Sequence, residues 1–322
     1  MKAAVIYQRG DRPQHTDFPE PVVQNDDQLL MSVKAAAIKN IDKSRASGRH
    51  YAAAGSHQQG TVPGGDGVGV LADGTRVYAL ADGMIAEKTV IEKSRMIPLP
   101  AGIDDVTAAA LPNAVAGSAM ALRFRARMQA GETVLINGAT GFIGKIAVQV
   151  AKHYGAKKII VTGRNAETLE VLRALGAGEI IPLTGDDEKF MAQLKEIHHH
   201  TPVDVIIDYL WGHTAELILA ALKGKGSFTH RTRFVSVGAV TGDTIQLSAE
   251  VLRSLDLQLS GSGLGSWTKD DMQQLFSEII PGMFALAADN QLKVETESVP
   301  LAEIEKLWTR EIPDGKRLVV TM

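Results

Sequence analysis

The chain contains no cysteine. That absence excludes disulfides and every cysteine-ligated zinc site, structural or catalytic. A dominant charge is lacking too: 34 Lys and Arg stand against 37 Asp and Glu, for a formal net charge of −3 and an isoelectric point near 6.3. No basic field exists to hold nucleic acid or an anionic membrane surface. Long apolar runs are also missing. Nowhere do about eighteen apolar residues follow one another, so no membrane span is expected. The opening Met1-Lys-Ala-Ala-Val-Ile-Tyr7 is too short for a secretory signal and meets Arg9 and Asp11 at once. A soluble, cytoplasmic protein acting on small molecules is the expectation. With 322 residues, 45% of them apolar, the chain is long enough for two domains.

What is present is a glycine-spaced turn. The apolar run Thr133-Val-Leu-Ile-Asn137 leads directly into Gly138-Ala-Thr-Gly141-Phe-Ile-Gly144. Ile146, Ala147, Val150, Ala151 and Tyr154 then continue a helical stripe begun by Phe142 and Ile143. Gly155 is placed to end that helix, and Lys158-Ile-Ile-Val-Thr162 supplies a second strand. A strand that ends in spaced glycines and opens a helix is a site for a dinucleotide pyrophosphate. Glycine lets the backbone turn and approach closely, and the helix N-terminus favours negative charge. The spacing is G-x-x-G-x-x-G, which implies a turn slightly different from that of G-x-G-x-x-G.

The end of the second strand bears on the choice of cofactor. NAD enzymes place a carboxylate here for the ribose 2′-hydroxyl. This chain reads Val161-Thr-Gly163-Arg164-Asn165, with no carboxylate and with a planar guanidinium suited to phosphate. NADP(H) is inferred; the alternative is a solvated arginine in an ordinary loop.

Short strands with Gly, Pro and Asp punctuation fill the first hundred residues: Lys2 to Tyr7, Gln28 to Ala37, Val68 to Ala72 and Thr75 to Leu80. Asp104-Asp-Val-Thr107 opens an alanine-rich helix. Beyond it, strands at Val134 to Asn137, Ile159 to Thr162, Glu179 to Pro182, Val203 to Asp208, Arg233 to Val237 and Leu257 to Ser260 alternate with helical patterns, notably Ala166 to Leu175 and Thr214 to Leu222. That alternation predicts a doubly wound parallel sheet. The last segments, a helix from Lys269 to Met283, another around Leu301 to Arg310 and a strand from Lys316 to Thr321, are too few for a further domain. They are expected to rejoin the N-terminal portion, with a ligand cleft between the domains.

The segments Ala35-Ala-Ala-Ile-Lys-Asn-Ile-Asp42, Pro63-Gly-Gly-Asp-Gly-Val-Gly69, Gly83-Met-Ile-Ala-Glu87, Gly138 to Gly144, Thr162-Gly-Arg164, Val203-Asp-Val-Ile-Ile-Asp208 and Val235-Ser-Val-Gly238 occur in an informative order. Together they resemble the medium-chain dehydrogenase/reductase superfamily, specifically its zinc-free quinone oxidoreductase branch, over essentially the whole chain. The resemblance implies an α/β fold in which a doubly wound parallel Rossmann sheet, residues 113–263, is inserted into a mainly β, GroES-like catalytic domain formed by residues 1–112 and 264–322. It also implies NADPH as hydride source, a quinone or related conjugated carbonyl as acceptor, and a homodimer formed through an exposed edge of the cofactor-domain sheet. The competing readings are an enone or enal double-bond reductase and a catalytically weak NADP(H)-binding sensor or interaction protein.

The resemblance also distributes roles. Gly138, Thr140, Gly141, Phe142, Ile143 and Gly144 form the pyrophosphate turn. Gly163, Arg164 and Asn165 take the phosphorylated ribose. Val237, Gly238 and Ala239 lie beside the nicotinamide, and Ser262, Gly263 and Leu264 close over its ribose or carboxamide, the alternative for both segments being a plain strand-to-loop transition. Asn113 either approaches the nicotinamide or is a buried, helix-breaking polar residue. The family's zinc enzymes carry a cysteine where this chain has Lys39 and a histidine where it has Gly65, so no metal is assigned. Lys39, Asn40 and Tyr51 are the substrate-side candidates, with the choice between Lys39 and Asn40 left open and Tyr51 equally readable as a packing residue. Asp66 is expected to pair with Lys39, and Asp42 to bind backbone N–H groups in its own turn or to orient a neighbour. His198-His-His200 reads as a polar loop, since three consecutive histidines do not share a face. Trp211 and Trp308 read as core or interface residues.

Overall fold

The computed structural model describes residues 1–48, 60–224, 229–310 and 315–322. They form two compact units, Met1–Asn113 with Phe276–Met322, and Ala114–Leu275.

The first unit opens with β1 (Lys2–Val5) antiparallel to β2 (Gln14–Asp17). Then come β3 (Gln28–Ala37), α1 (Asn40–Ala46), β4 (Asp66–Val70), β5 (Arg76–Leu80), β6 (Lys88–Glu92) and β7 (Met96–Pro98). α2 (Asp105–Met120) carries the chain into the second unit. There β8 (Thr133–Asn137), α3 (Phe142–His153), β9 (Lys158–Gly163), α4 (Ala166–Leu175), β10 (Glu179–Pro182), α5 (Asp187–His200), β11 (Val205–Asp208), α6 (Gly212–Leu222), β12 (Thr232–Ser236), α7 (Ala249–Ser254) and β13 (Leu257–Gly261) alternate, followed by α8 (Lys269–Gln274). The return to the first unit supplies α9 (Ile280–Ala288), β14 (Thr296–Pro300), α10 (Ile304–Leu307) and β15 (Arg317–Thr321).

The larger sheet of the first unit runs β14-β15-β3-β4-β5-β7, with β6 also on β3. Side chains alternate across β3, so Met31 and Val33 enter a core with Ile85, Ile91, Leu307, Trp308 and Val320 while Ser32 and Lys34 face out. In the second unit all strands are parallel in the order β10-β9-β8-β11-β12-β13. This is the dinucleotide-fold order, whose switch point lies between β8 and β11. Every residue of β8 is buried, as a central strand covered on both faces requires.

Several elements differ from the sequence expectation for identifiable reasons. The strand expected at Val68 to Ala72 runs instead from Asp66 to Val70. Its glycines admit β3: a Cβ on Gly69 would sit 2.4 Å from the Ser32 carbonyl oxygen. The histidine run is the last turn of α5 and not a loop. Asp186 caps that helix by accepting from Lys189 N, His200 pairs with Glu196 one turn back, and helical backbone persists until Pro202 approaches. The helix expected over Lys269 to Met283 is split by a π-turn at Leu275–Ile279 and runs on to Ala288. Pro281 has no N–H for the residue four before it, so the regular helical register cannot pass through. Leu301 to Arg310 is a 3₁₀ turn followed by the short α10. Asn113 follows Pro112 inside α2 and does not break that helix. Strands β2, β6, β7 and β14 were not anticipated.

The seat of α3 on β8 depends on Gly144. A Cβ there would lie 2.4 Å from Ala139 Cα and 2.5 Å from its carbonyl oxygen, whereas one on Gly141 meets nothing within 4 Å. Gly144→Ala should therefore destabilise the fold by about 1–3 kcal/mol through overpacking against backbone. Gly141→Ala should cost less than about 1 kcal/mol. Thermal and denaturant unfolding of the two variants, compared with wild type, checks the contrast.

Candidate functional site

In the second unit the chain leaves β8 through Gly138, whose φ of +84° suits a residue without Cβ. The Gly138 N–H donates to Thr162 Oγ1 (3.0 Å) and the Ala139 N–H to the Thr162 carbonyl (2.8 Å). α3 then opens at Gly141, which has no side-chain cap; the first N–H groups of a helix lack intrahelical acceptors and face outward. Gly163 closes against this turn, since a Cβ on it would strike Thr140 Cγ2 at 2.3 Å. Arg164 follows, exposed and without an ion pair among the described residues. Asn165 is also exposed and caps α4 by accepting from Thr168 N (2.9 Å). A fixed turn, a helix start without a side-chain cap and an exposed guanidinium thus meet at the C-terminal edge of β8 and β9, a combination suited to a phosphorylated dinucleotide.

Three strand ends below this turn form one buried polar network that sequence reasoning missed. Thr162 Oγ1 donates to Asn137 Oδ1 (2.6 Å), and Asn137 Nδ2 donates to Asp208 Oδ1 (2.7 Å) and to Thr214 Oγ1 (3.2 Å). Asp208 lies opposite Asn137 in the β11–β8 register. Its carboxylate also accepts the N–H groups of Leu210 (3.0 Å) and Trp211 (3.1 Å). Burial pushes the Asp208 carboxyl up, and the Leu210, Asn137 and Trp211 donors pull it back. Trp211 adopts φ +58° and ψ −156°, a region that costs a residue with Cβ about 1–3 kcal/mol. Its ring packs edge-on against Phe234 at 6.0 Å, in keeping with a core role. The available signal in the sequence was a polar residue at or next to the end of three mainly apolar strands.

The remaining cofactor candidates, Asn113 excepted, lie in the same unit. Val237 and Gly238 N–H groups both donate to the Asp208 carbonyl (2.8 and 3.2 Å), and Ala239 is exposed. Ile143 and Val237 flank Gly117 of α2. Ser262 N donates to the Ser236 carbonyl (2.8 Å), Ser262 Oγ accepts from Trp267 Nε1 (3.0 Å), and Gly263 N donates to Ser266 Oγ (2.9 Å). Leu264 is exposed. Asn113 is half-buried and belongs to the first unit.

In the first unit, Lys39 is only 3% exposed. Its ammonium pairs with Asp66, as the sequence led us to expect, and with Asp42 at 3.3 Å. Asp42 does both things considered for it, because it also accepts the Lys39 backbone N–H (3.0 Å). Tyr78 OH donates to Asp66 Oδ2 (2.8 Å), and Arg317 donates to the Ile38 carbonyl (3.3 Å) beside the two carboxylates. Burial depresses Lys39, but Asp42 and Asp66 outweigh it and the pKa ends raised. Burial raises Asp42 despite Lys39. It also pushes Arg317 down to about 10 and, with Asp66, holds Tyr78 firmly protonated. Asn40, the first residue of α1, is exposed. Tyr51 lies outside the described residues.

This is the architecture of a dinucleotide-binding α/β protein carrying a second, β-rich unit. A family profile described as zinc-binding dehydrogenase matches residues 143–280. The probable NADPH-dependent quinone reductase tdiC of Emericella nidulans is 27% identical over 96% of this chain and 96% of its own length. The chloroplastic NADPH-dependent alkenal/one oxidoreductase of Arabidopsis thaliana is 33% identical over 50% of this chain and 46% of its own. The quinone oxidoreductase of Thermus thermophilus superposes with a TM-score of 0.79 at 26% identity, covering 100% of both chains. These similarities support the medium-chain dehydrogenase/reductase superfamily, quinone oxidoreductase branch.

Removing Lys39 would strand two buried carboxylates. Lys39→Met should cost roughly 3–5 kcal/mol of stability, and adding Asp66→Asn should recover part of that loss. A carboxylate deprived of its cation has a raised folded-state pKa. Its contribution is present below the unfolded value and lost as pH rises through the folded one. The deficit of the single variant should therefore deepen from pH 5 to pH 8, as denaturant unfolding at each pH would reveal.

Proposed function

We propose that this chain is an NADPH-dependent, zinc-independent oxidoreductase that reduces a quinone or related conjugated carbonyl. The observation that carries this reading is the open glycine turn at the switch point, with Arg164 and no carboxylate at the end of β9. Gly138, Thr140, Gly141, Phe142, Ile143 and Gly144 would hold the pyrophosphate. Gly163, Arg164 and Asn165 would take the ribose and its 2′-phosphate. Asn113 and Val237 to Ala239 would serve the nicotinamide, and Ser262 to Leu264 its ribose or carboxamide. Bound NADPH supplies the hydride; the protein supplies orientation. The full-length similarity to the fungal quinone reductase supports this assignment.

Zinc independence is supported by the donor set. The chain has no cysteine, and among the described residues no group of three His, Asp or Glu is placed to hold a metal. The ammonium of Lys39 sits against the two carboxylates that face it. An electron-poor acceptor needs less help than a simple carbonyl, for which a metal would polarise the oxygen. With Lys39 engaged, Asn40 is the better substrate-side candidate of the two, and the acceptor's proton would come from water. The half-length similarity to the alkenal/one oxidoreductase favours enone or enal double-bond reduction as the second reading. The outermost position of β13, which among the described residues pairs with β12 alone in its sheet, supports a homodimer through that edge.

NADPH consumption against a panel of quinones and alkenals, with a metal assay on the same preparation, tests the reaction. A stoichiometric metal required for turnover would overturn the zinc-independent reading. Arg164→Ala should weaken NADPH binding by about 1.5–3 kcal/mol, the range of a charge-assisted hydrogen bond, and leave NADH nearly unchanged. Equal losses for both cofactors in a titration would remove the argument for NADP(H).

A further inference from the structure

The geometry points to Asp208 as a positioning residue for hydride transfer, one that fixes the pyrophosphate turn after β8 relative to the nicotinamide-side segment after β12. This inference rests on the cofactor reading above and deepens it. Asp208 reaches both segments at once. Its side chain ends a directional chain: Gly138 N–H to Thr162 Oγ1, Thr162 O–H to Asn137 Oδ1, and Asn137 Nδ2 to Asp208 Oδ1. Its backbone carbonyl accepts the N–H groups of Val237 and Gly238.

The loop that follows Asp208 repeats the connection in apolar and polar form. Leu210 packs so tightly on the first glycine that a Cβ on Gly138 would lie 2.7 Å from Leu210 Cγ. Across the loop, Thr241 donates through N to the Leu210 carbonyl (2.9 Å), and through Oγ1 to the Leu210 and Trp211 carbonyls (3.0 Å each). Trp211 keeps a backbone conformation suited to glycine because the Asp208 carboxylate holds its N–H and Thr241 its carbonyl. A geometry over-determined in this way has little freedom to drift, and misplacement of about 1 Å from a site away from the chemistry can cost 10²-fold in rate.

The hydrogen-bond directions make the role testable. In Asp208→Asn the new amide has one acceptor where the carboxylate had two. With its oxygen in the Oδ1 place the new amide still serves Asn137, Leu210 and Trp211 but sets its NH2 against the Trp211 N–H; turned over, it sets that NH2 against the Asn137 amide and the Leu210 N–H. Exchanging the pair, Asn137→Asp with Asp208→Asn, restores part of the order: the new carboxylate on β8 accepts from Thr162 and from the new amide on β11, whose oxygen, in the Oδ2 place, takes the Trp211 N–H but not that of Leu210. Thr241→Val removes the hydroxyl contact from the other side of the loop at an exposed position.

The measurements are NADPH affinity by titration, kcat and KM for a quinone, the isotope effect with NADPH deuterated at C4, and melting temperature. Asp208→Asn should lower kcat about tenfold to a hundredfold with KM for the quinone little changed. The isotope effect should grow as the hydride step becomes limiting. The exchanged pair should regain part of kcat, and Thr241→Val should lose kcat in the same sense but less. A folded Asp208→Asn with wild-type kcat and isotope effect, or one that loses only melting temperature, overturns the proposal. So does a folded exchanged pair that recovers nothing. If Asp208→Asn does not fold, Thr241→Val decides, and an unchanged kcat and isotope effect there overturns it. A wild-type protein that fails to bind NADPH defeats the cofactor reading itself, an outcome distinct from all of these.

Discussion

The second unit depends on how three parallel strands finish. β8 and β11 end in Asn137 and Asp208, and Thr162 is the last residue but one of β9; all three are fully buried. An unmet donor or acceptor at such a position costs about 1–3 kcal/mol. These side chains meet one another's needs, so the sheet edge stays dry and fixed, and the turn above it inherits a set position. A glycine with φ of +84° and a helix seated within van der Waals limits of Ala139 stand on that platform.

The first unit solves a comparable problem with charge. Lys39 and Arg317 stand beside Asp42 and Asp66, two cations and two anions contributed by the β3–α1 corner, the start of β4 and the start of β15. Tyr78 of β5 adds a hydroxyl to Asp66. Buried ion pairs contribute less through attraction than through the penalty of separating them. Their weight here falls on holding segments far apart in the sequence in one arrangement.

Local physics made much of this legible beforehand. The apolar run ending at Asn137, the glycine spacing and the helical stripe after Gly144 act over a few residues each, and the helix Ala166–Leu175 was bounded by a cap at Asn165 and a glycine stop at Gly176. The partner of Lys39 was readable because both residues fall in recognisable segments. Tyr78 and Arg317 were not, since nothing near either residue announces a buried carboxylate brought in by sheet pairing. The same holds for the facing ends of β8 and β11, which only the parallel register brings together. Strands such as Gln14–Asp17 and Thr296–Pro300 lack a clean alternation of buried and exposed residues, so their pairing partners, and not their own pattern, define them. The helical histidines were misjudged because a polar composition says little about backbone that a preceding cap has already started.

The buried ammonium has a chemical consequence for a protein proposed to handle unsaturated carbonyls. Such compounds alkylate thiolates and neutral amines, the species that carry a free lone pair. This chain has no thiol to offer. The Lys39 amine is kept protonated by the two carboxylates beside it and shielded from solvent, which makes it a poor nucleophile. The arrangement that anchors α1 thereby protects the lysine from covalent inactivation by the electrophiles the enzyme would consume.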